Sequence, residues 1–336
     1  MIRKIWLVSL FLFIVAGYTC GWFFSYLLNP APVAEEARII VTIPQGMSTR
    51  QIYRLFVENK LVHDDLRFLL LVNLMGDTAR LQAGEFLLRT NQTPVQLIRE
   101  LSTARPVAHK VTIPEGLRLE QIAERFARDG WVDRDRFLEA AHDPELIHEL
   151  GLEEMDSLEG YLFPDTYHLA RIGGDERTLI RMMVTRAGKI WDSFGDVDLH
   201  GLSKHQVYTL ASIVEKESAD NEEKPIIAGV FFNRLKKKMR LQSDPTVIYG
   251  IEHFDGKLKR SHLRKPTPYN TYTIPALPPG PICSPGKQSL QAVLWPATVD
   301  YFYFVSKNNG THYFSRTLSE HNKAVRTYRK KKKKKK

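Results

Sequence analysis

The hydrophobic pattern opens with an unbroken apolar run: from Ile5 to Leu28 there are 24 residues without a charge, rich in Leu, Phe, Ile, Val and Trp. At about 1.5 Å per residue, a helix of this length exceeds a hydrocarbon core of roughly 30 Å. The run therefore predicts a transmembrane helix over residues 5–28. A cleavable signal peptide is the rival, but its apolar region is shorter, about 7–15 residues, and needs a small-x-small site; "NPAPVAEE" offers only a poor one. Arg3 and Lys4 precede the run, whereas Glu35 and Glu36 follow it. The positive-inside rule then keeps residues 1–4 in the cytoplasm and sends the body outward, as a single-pass protein of the cytoplasmic (inner) membrane with its working domain extracytoplasmic or periplasmic.

After a Pro/Ala/Glu linker at 29–37 the period changes. "VTIPQGMSTRQIYRLFVENKLV", starting at Val41, recurs as "VTIPEGLRLEQIAERFARDGWV", starting at Val111. Each copy predicts a short strand, a Pro-x-Gly turn and an amphipathic helix, with Ile52, Leu55 and Phe56, or Ile122 and Phe126, on the buried side. Between the copies "AGEFLL" reads as a strand, and Thr93 and Pro94 as the N-cap and first residue of a helix carrying Val95, Ile98 and Leu101. The order strand, helix, helix, strand, helix makes residues 38–107 a small α+β module, similar in pattern to LysM-like glycan-binding modules; a structural spacer fits equally well. Residues 108–325 form a larger mixed α+β domain whose first part, 108–135, repeats 38–65. It closes on "YFYFVSKNNGTHYFS", two strands joined by an Asn-Asn-Gly turn. The fold class is α+β.

Within the larger domain Val207, Leu210, Ala211 and Val214 recur at i, i+3, i+4 and i+7, an apolar helical stripe leading into "SIVEKES". With Val207 at zero and 100° per residue, the stripe centres near about 330°; Glu217 falls at about 280°, inside it, and Glu215 at about 80°, at its margin. Phase thus predicts Glu217 as the inward carboxylate and Glu215 as a flank. An apolar site disfavours the charged carboxylate and raises its pKa, which is what a general acid needs. On phase alone, a buried ion pair at Glu217 is the commoner arrangement.

Charge and cysteine usage narrow the classes. The net charge is +10, but Arg329 and the lysines from Lys330 to Lys336 supply 8 of it, so the body is nearly neutral. Nucleic-acid binding needs basic residues organised on a folded face, and no nucleic-acid partner is expected. Residues 326–336 read as a basic, disordered tail. Cys20 lies in the apolar run and Cys283 alone outside it, so no disulfide links folded segments. The histidines show no ligand spacing, and neither a metal nor a cofactor is expected.

Four runs, "LASIVEKES", "VFFNRLKKKMRLQSDPTVIYG", "YNTYTIPALPPGPICSPG" and "LEGYLFPDTY", together resemble the YceG-like family of membrane-anchored endolytic murein transglycosylases, over the span, the LysM-like region and the larger domain in order. The resemblance implies a lysozyme-like active-site helix. It also implies cleavage, without water, of the β-1,4 bond between N-acetylmuramic acid and N-acetylglucosamine in nascent peptidoglycan, leaving a 1,6-anhydromuramic end and terminating elongation. Its partners would be glycan strands and peptidoglycan synthases. It makes Glu217 the single catalytic acid and base, has Gln242, Ser243, Asp244 and Thr246 line the cleft, and has Asn270 and Tyr272 position the sugar or its developing positive charge. Asp244-Pro245 and Tyr269-Asn270 can also be plain turn formers.

Three rival classes remain on the residues alone. A hydrolase needs a second carboxylate, roughly 5–5.5 or 6.5–9.5 Å from the first, for which Asp244, Glu159 and Asp165 are candidates. A non-catalytic peptidoglycan-binding scaffold would use the same cleft without turnover. "SPGK" at Ser284–Lys287 and "SKN" at Ser306–Asn308 imitate penicillin-binding motifs, but Pro285-Gly286 favours a turn where that chemistry needs a helix start, and the chain has no Lys-Thr-Gly.

Overall fold

A computed structural model describes residues 2–33, 35–76, 81–152, 155–171 and 174–334. Met1 and the last two residues of the basic tail, Lys335 and Lys336, lie outside the described residues. The architecture is mixed α+β, and the chain divides into two compact units: Met1–Val111 with His168–Gly174, and Thr112–Tyr167 with Asp175–Lys336.

In the first unit, α1 (Ile2–Leu27) contains the stretch Ile5–Leu27, long and apolar enough to cross a membrane. The module follows as β1 (Arg38–Ile43), α2 (Thr49–Glu58), α3 (Arg67–Met75), β2 (Gly84–Arg89) and α4 (Pro94–Thr103), the element order read from the sequence. Alternation sets the strand faces: Val41 and Ile43 point into the core, and Val41 stands opposite Phe86 in the antiparallel β1–β2 pair. Capping boxes at Ser48/Gln51 and Thr93/Gln96 start α2 and α4, the latter with Pro94 in its first turn. Phe56, Phe68, Phe86, Leu97 and Ile98 fill the space between.

The segment expected to be a linker is held to this module. The Ala31 N–H donates to the Gln92 carbonyl at 3.0 Å, and the Thr90 hydroxyl donates to the Glu35 carbonyl at 2.7 Å. Tyr26, in the last turn of α1, is itself part of the module core, with Phe23 and Leu27 packed beside it. The apolar helix is therefore docked rather than tethered, and cutting the chain at residue 30 would strip Tyr26 from that core.

The remaining elements are β3 (His109–Thr112), α5 (Leu119–Arg128), α6 (Arg134–Ala141), α7 (Pro144–Glu149), β4 (Thr166–Leu169), α8 (Glu176–Asp192), α9 (Lys204–Glu217), α10 (Lys224–Lys236), α11 (Asp244–Tyr249), α12 (Arg260–Arg264), α13 (Lys287–Leu294), β5 (Tyr303–Ser306), β6 (His312–Ser315) and α14 (Leu318–Lys334). The second sequence copy again gives strand, turn and helix, with Ile122 and Phe126 fully buried. In the second unit α9 is the central element. Every residue from Val207 to Val214 is buried, against α10, α13 and α11. Gly229 lets the chain at Ala297 cross α10: a Cβ there would sit 2.4 Å from the Ala297 carbonyl oxygen. The Asn-Asn-Gly hairpin forms as expected, β5 pairing with β6 from Tyr303↔Ser315 to Ser306↔His312, with Asn308 and Gly310 at positive φ. Helix α14 runs to Lys334, into the stretch expected as a basic tail.

Candidate active site

Glu217 is the last residue of α9, and Ser218 ends the helix in extended conformation. Its carboxyl opens onto a cleft of roughly 330 Å³. It is lined by Arg234, Gln242, Asp244 and Tyr272 together with the β5–β6 hairpin, chiefly Tyr303, Phe304 and His312, and with Leu318 and His321 from the start of α14. A larger hollow of roughly 810 Å³ around His200, Phe232 and Trp295 carries no carboxylate, so size alone does not locate the chemistry.

The loop before α11 positions the groups facing Glu217. Gln242 takes a left-handed conformation (φ 50°), unusual for a residue with a side chain, and several bonds hold it there. The Gln242 and Ser243 N–H groups donate to the Thr271 carbonyl (3.1 Å) and hydroxyl (2.9 Å), and Arg234 donates to the Leu241 carbonyl at 2.5 Å. Thus fixed, the Ser243 hydroxyl donates to Glu217 Oε1 at 2.5 Å. Asp244 Oδ1 accepts from the Tyr272 hydroxyl at 2.7 Å.

The expected site residues divide accordingly. Glu217, Gln242, Asp244 and Tyr272 line the cleft, and Ser243 reaches it through Glu217. Thr246 and Asn270 do not: both are fully buried. Thr246 bonds the Ser243 carbonyl and the Thr271 hydroxyl, at 2.7 and 2.8 Å. Asn270 donates to the carbonyls of His262, Leu263 and Lys265 and accepts from the Tyr272 N–H. Their hydrogen bonds hold the loops behind the cleft. Arg234 and His312 were not anticipated. An arginine within the mostly apolar helix "PIIAGVFFNRL" was the available signal for the first. The second is held by Glu223, which accepts from the His312 N–H and bonds its Nδ1 at 2.7 Å.

Protein packs closely around the Glu217 carboxyl, and this desolvation, helped by the nearby Asp244 charge, pushes its pKa up to about 7 against the opposing pull of Ser243 and Arg234. Its place at the negative end of α9 acts in the same direction. Glu159 is also raised to about 7 by burial, but it accepts from the Leu119 N–H and the Tyr249 hydroxyl and does not line the cleft. Asp165 is engaged by Arg186 at 2.5 Å. Of the three candidate second carboxylates, only Asp244 shares the cleft with Glu217. A reaction needing protonated Glu217 should lose rate as pH rises through about 7, and a kcat/KM profile flat from pH 6 to about 9 would exclude that role.

Glu215 is a correction to the phase reading. It is not a flank: its side chain is 9% exposed and accepts from the Ser289 hydroxyl (2.5 Å), the Gly286 N–H (3.1 Å) and Lys224 Nζ (3.3 Å). Lys224, 2% exposed, also lies 3.9 Å from Glu115. The buried ion pair expected on phase at Glu217 belongs to Glu215, two residues away. The misreading arose because α9 is buried on every side, so a one-stripe phase understates how much of its end points inward. In "SPGK", the Lys287 amine lies 5.8 Å from the Phe194 ring centroid and the Ser284 side chain is buried.

A profile of the YceG-like family matches residues 41–327. An endolytic murein transglycosylase of Bacillus subtilis is 32% identical over 317 residues, covering 90% of this chain and 88% of that protein. One from Streptococcus pneumoniae D39 is 27% identical and spans 96% of this chain, which in turn covers 65% of the pneumococcal protein. A crystal structure of a YceG-like protein from Listeria monocytogenes superposes with a TM-score of 0.57 at 34% identity, covering 86% of this chain and all of the other. On the extent of these matches, and with the cleft-lining segments inside the matched region, the chain belongs to the YceG-like family.

Proposed function

We propose that this chain is a membrane-anchored endolytic lytic transglycosylase of peptidoglycan, with Glu217 as its single acid and base. The observation that carries the reading is a carboxyl poised near pKa 7 at the head of a cleft, in a relative of endolytic murein transglycosylases. Protonated Glu217 donates to the glycosidic oxygen, and the bond from C1 of N-acetylmuramic acid breaks with oxocarbenium character. The muramic C6 hydroxyl then attacks C1 and surrenders its proton to the Glu217 carboxylate. The products are a free N-acetylglucosamine hydroxyl and a 1,6-anhydro end; the acid is regenerated and no water is consumed. Arg234 and the Ser243 hydroxyl stabilise the carboxylate in mid-cycle. The Asp244 charge, oriented by Tyr272, favours the proton on Glu217 and faces the positive charge developing at C1.

The apolar helix Ile5–Leu27 serves as a single-pass anchor in the cytoplasmic membrane, with residues 1–4 inside and both units outside. The β1–α2–α3–β2 module is read as LysM-like and as holding the glycan, and α9 as the counterpart of a lysozyme active-site helix. Cleavage close to the membrane would end strand elongation beside the peptidoglycan synthases.

The hydrolytic alternative has one observation in its favour, the presence of Asp244 in the cleft. Full-length enzyme in detergent, given uncrosslinked glycan strands, should yield anhydro ends by mass spectrometry; intact strands would indicate a binder. Asp244→Asn should keep the anhydro product and move the alkaline limb of the rate profile to lower pH, because the charge it removes raises the Glu217 pKa. Loss of turnover in this variant, together with reducing ends from the parent enzyme, would favour hydrolysis with Asp244 as base.

A further inference from the structure

Helix α3 carries Phe68, Leu71 and Val72 on its buried face, yet Leu66, Leu70 and Leu74 are 68, 48 and 68% exposed. Spaced at i, i+4 and i+8 across the N-cap and the body of the helix, the three leucines form one stripe. A single exposed leucine is ordinary; an aligned series is a surface that something covers.

Arg67, next to Leu66, shows what lies alongside. Its guanidinium donates to the Trp22 carbonyl and stands over the Trp22 and Tyr26 rings, 4.5 and 4.9 Å from their centroids. Asp65 pairs with the same guanidinium. This ties the start of α3 to the side of α1 at the level of Trp22, before the apolar helix ends at Leu27. Counted from Ile5, about 20 residues traverse a hydrocarbon core of roughly 30 Å, which puts Trp22 at its outer edge and Leu66 and Arg67 at the same depth. Trp22, 50% exposed, is the kind of side chain that settles at that boundary.

We propose that α3 is an interfacial helix, with Leu66, Leu70 and Leu74 seated in the headgroup and acyl boundary of the bilayer that α1 spans. The occupant of the stripe is lipid, because the part of the chain to which α3 is fastened is already at membrane depth. The module then rests on the membrane with a set orientation, since Tyr26 within its core and Arg67 against α1 remove the freedom of a tether. The inference rests on the reading of α1 as a membrane anchor.

Full-length protein carrying the photoreactive residue p-benzoylphenylalanine at position 66, 70 or 74, reconstituted in phosphatidylethanolamine/phosphatidylglycerol vesicles, provides the test. Position 11, within the apolar run, reports independently on the anchor. All four positions should yield phospholipid adducts on irradiation. Adducts at position 11 with none at 66, 70 and 74 would overturn the interfacial assignment while leaving the anchor intact. Loss at position 11 would overturn the anchor itself and the assignment with it.

Discussion

Replacing Glu217 by Gln is expected to lower kcat on uncrosslinked glycan strands by about 10²–10⁴-fold, the range over which a positioned acid and base acts, while strand binding changes little. The amide keeps the shape and can still accept from Ser243, but it neither gives nor takes a proton. Glu215→Gln supplies the contrast. That side chain is committed to Lys224, Ser289 and Gly286, so its loss should appear as a lower unfolding temperature with anhydro product still formed by the folded fraction. Single-turnover rates and melting curves of the two variants separate these outcomes. Full activity in Glu217→Gln, with chemistry lost in Glu215→Gln, would exchange the roles.

The second large effect is on stability. Lys224→Met removes the only cation within 4 Å of Glu215 among the described residues and leaves that carboxylate almost buried with two neutral donors. Breaking one side of such a pair costs about 3–5 kcal/mol, because the remaining charge stays desolvated. For a unit of this size that lowers the midpoint of thermal unfolding by on the order of 10 °C. Adding Glu215→Gln to Lys224→Met should recover part of the loss, since no lone charge is then buried. A midpoint for Lys224→Met within about 2 °C of the parent, corresponding to less than roughly 1 kcal/mol, would mean that the pair does not hold the end of α9. The position matters for function because Glu215 and Glu217 share the last turn of that helix, which makes the Glu215–Lys224 pair a support for the cleft carboxyl.

Where structure follows from local pattern, the sequence was a good guide. The strand and turn of "VTIPQG", the Thr93-Pro94 helix start and the Asn-Asn-Gly turn each act within a few residues, and each element formed where its signal lay, although β1 begins at Arg38, ahead of Val41. The cleft was only partly legible because it assembles from segments far apart in the chain. Ser243 meets Glu217 across 26 positions, and His312 meets Glu223 across 89; no periodicity reports such meetings. Polar residues in "LQSDPTVIYG" and "YNTYT" looked alike as candidates. Tertiary packing sorted them, turning Gln242, Asp244 and Tyr272 toward the cleft and sealing Thr246 and Asn270 behind it. The docking of Tyr26 into the module was hidden for a different reason: a tyrosine near the end of an apolar run reads as an interfacial anchor whether it faces lipid or protein.

In the proposed mechanism Glu217 cleaves the glycan with an internal hydroxyl in place of water. Digestion of uncrosslinked strands by the full-length enzyme in water enriched with heavy oxygen tests it most directly. Anhydromuramic ends that carry no heavy oxygen are expected from the parent enzyme and should be absent with Glu217→Gln. New reducing ends bearing one heavy oxygen per cleaved bond would contradict it and make the enzyme a hydrolase.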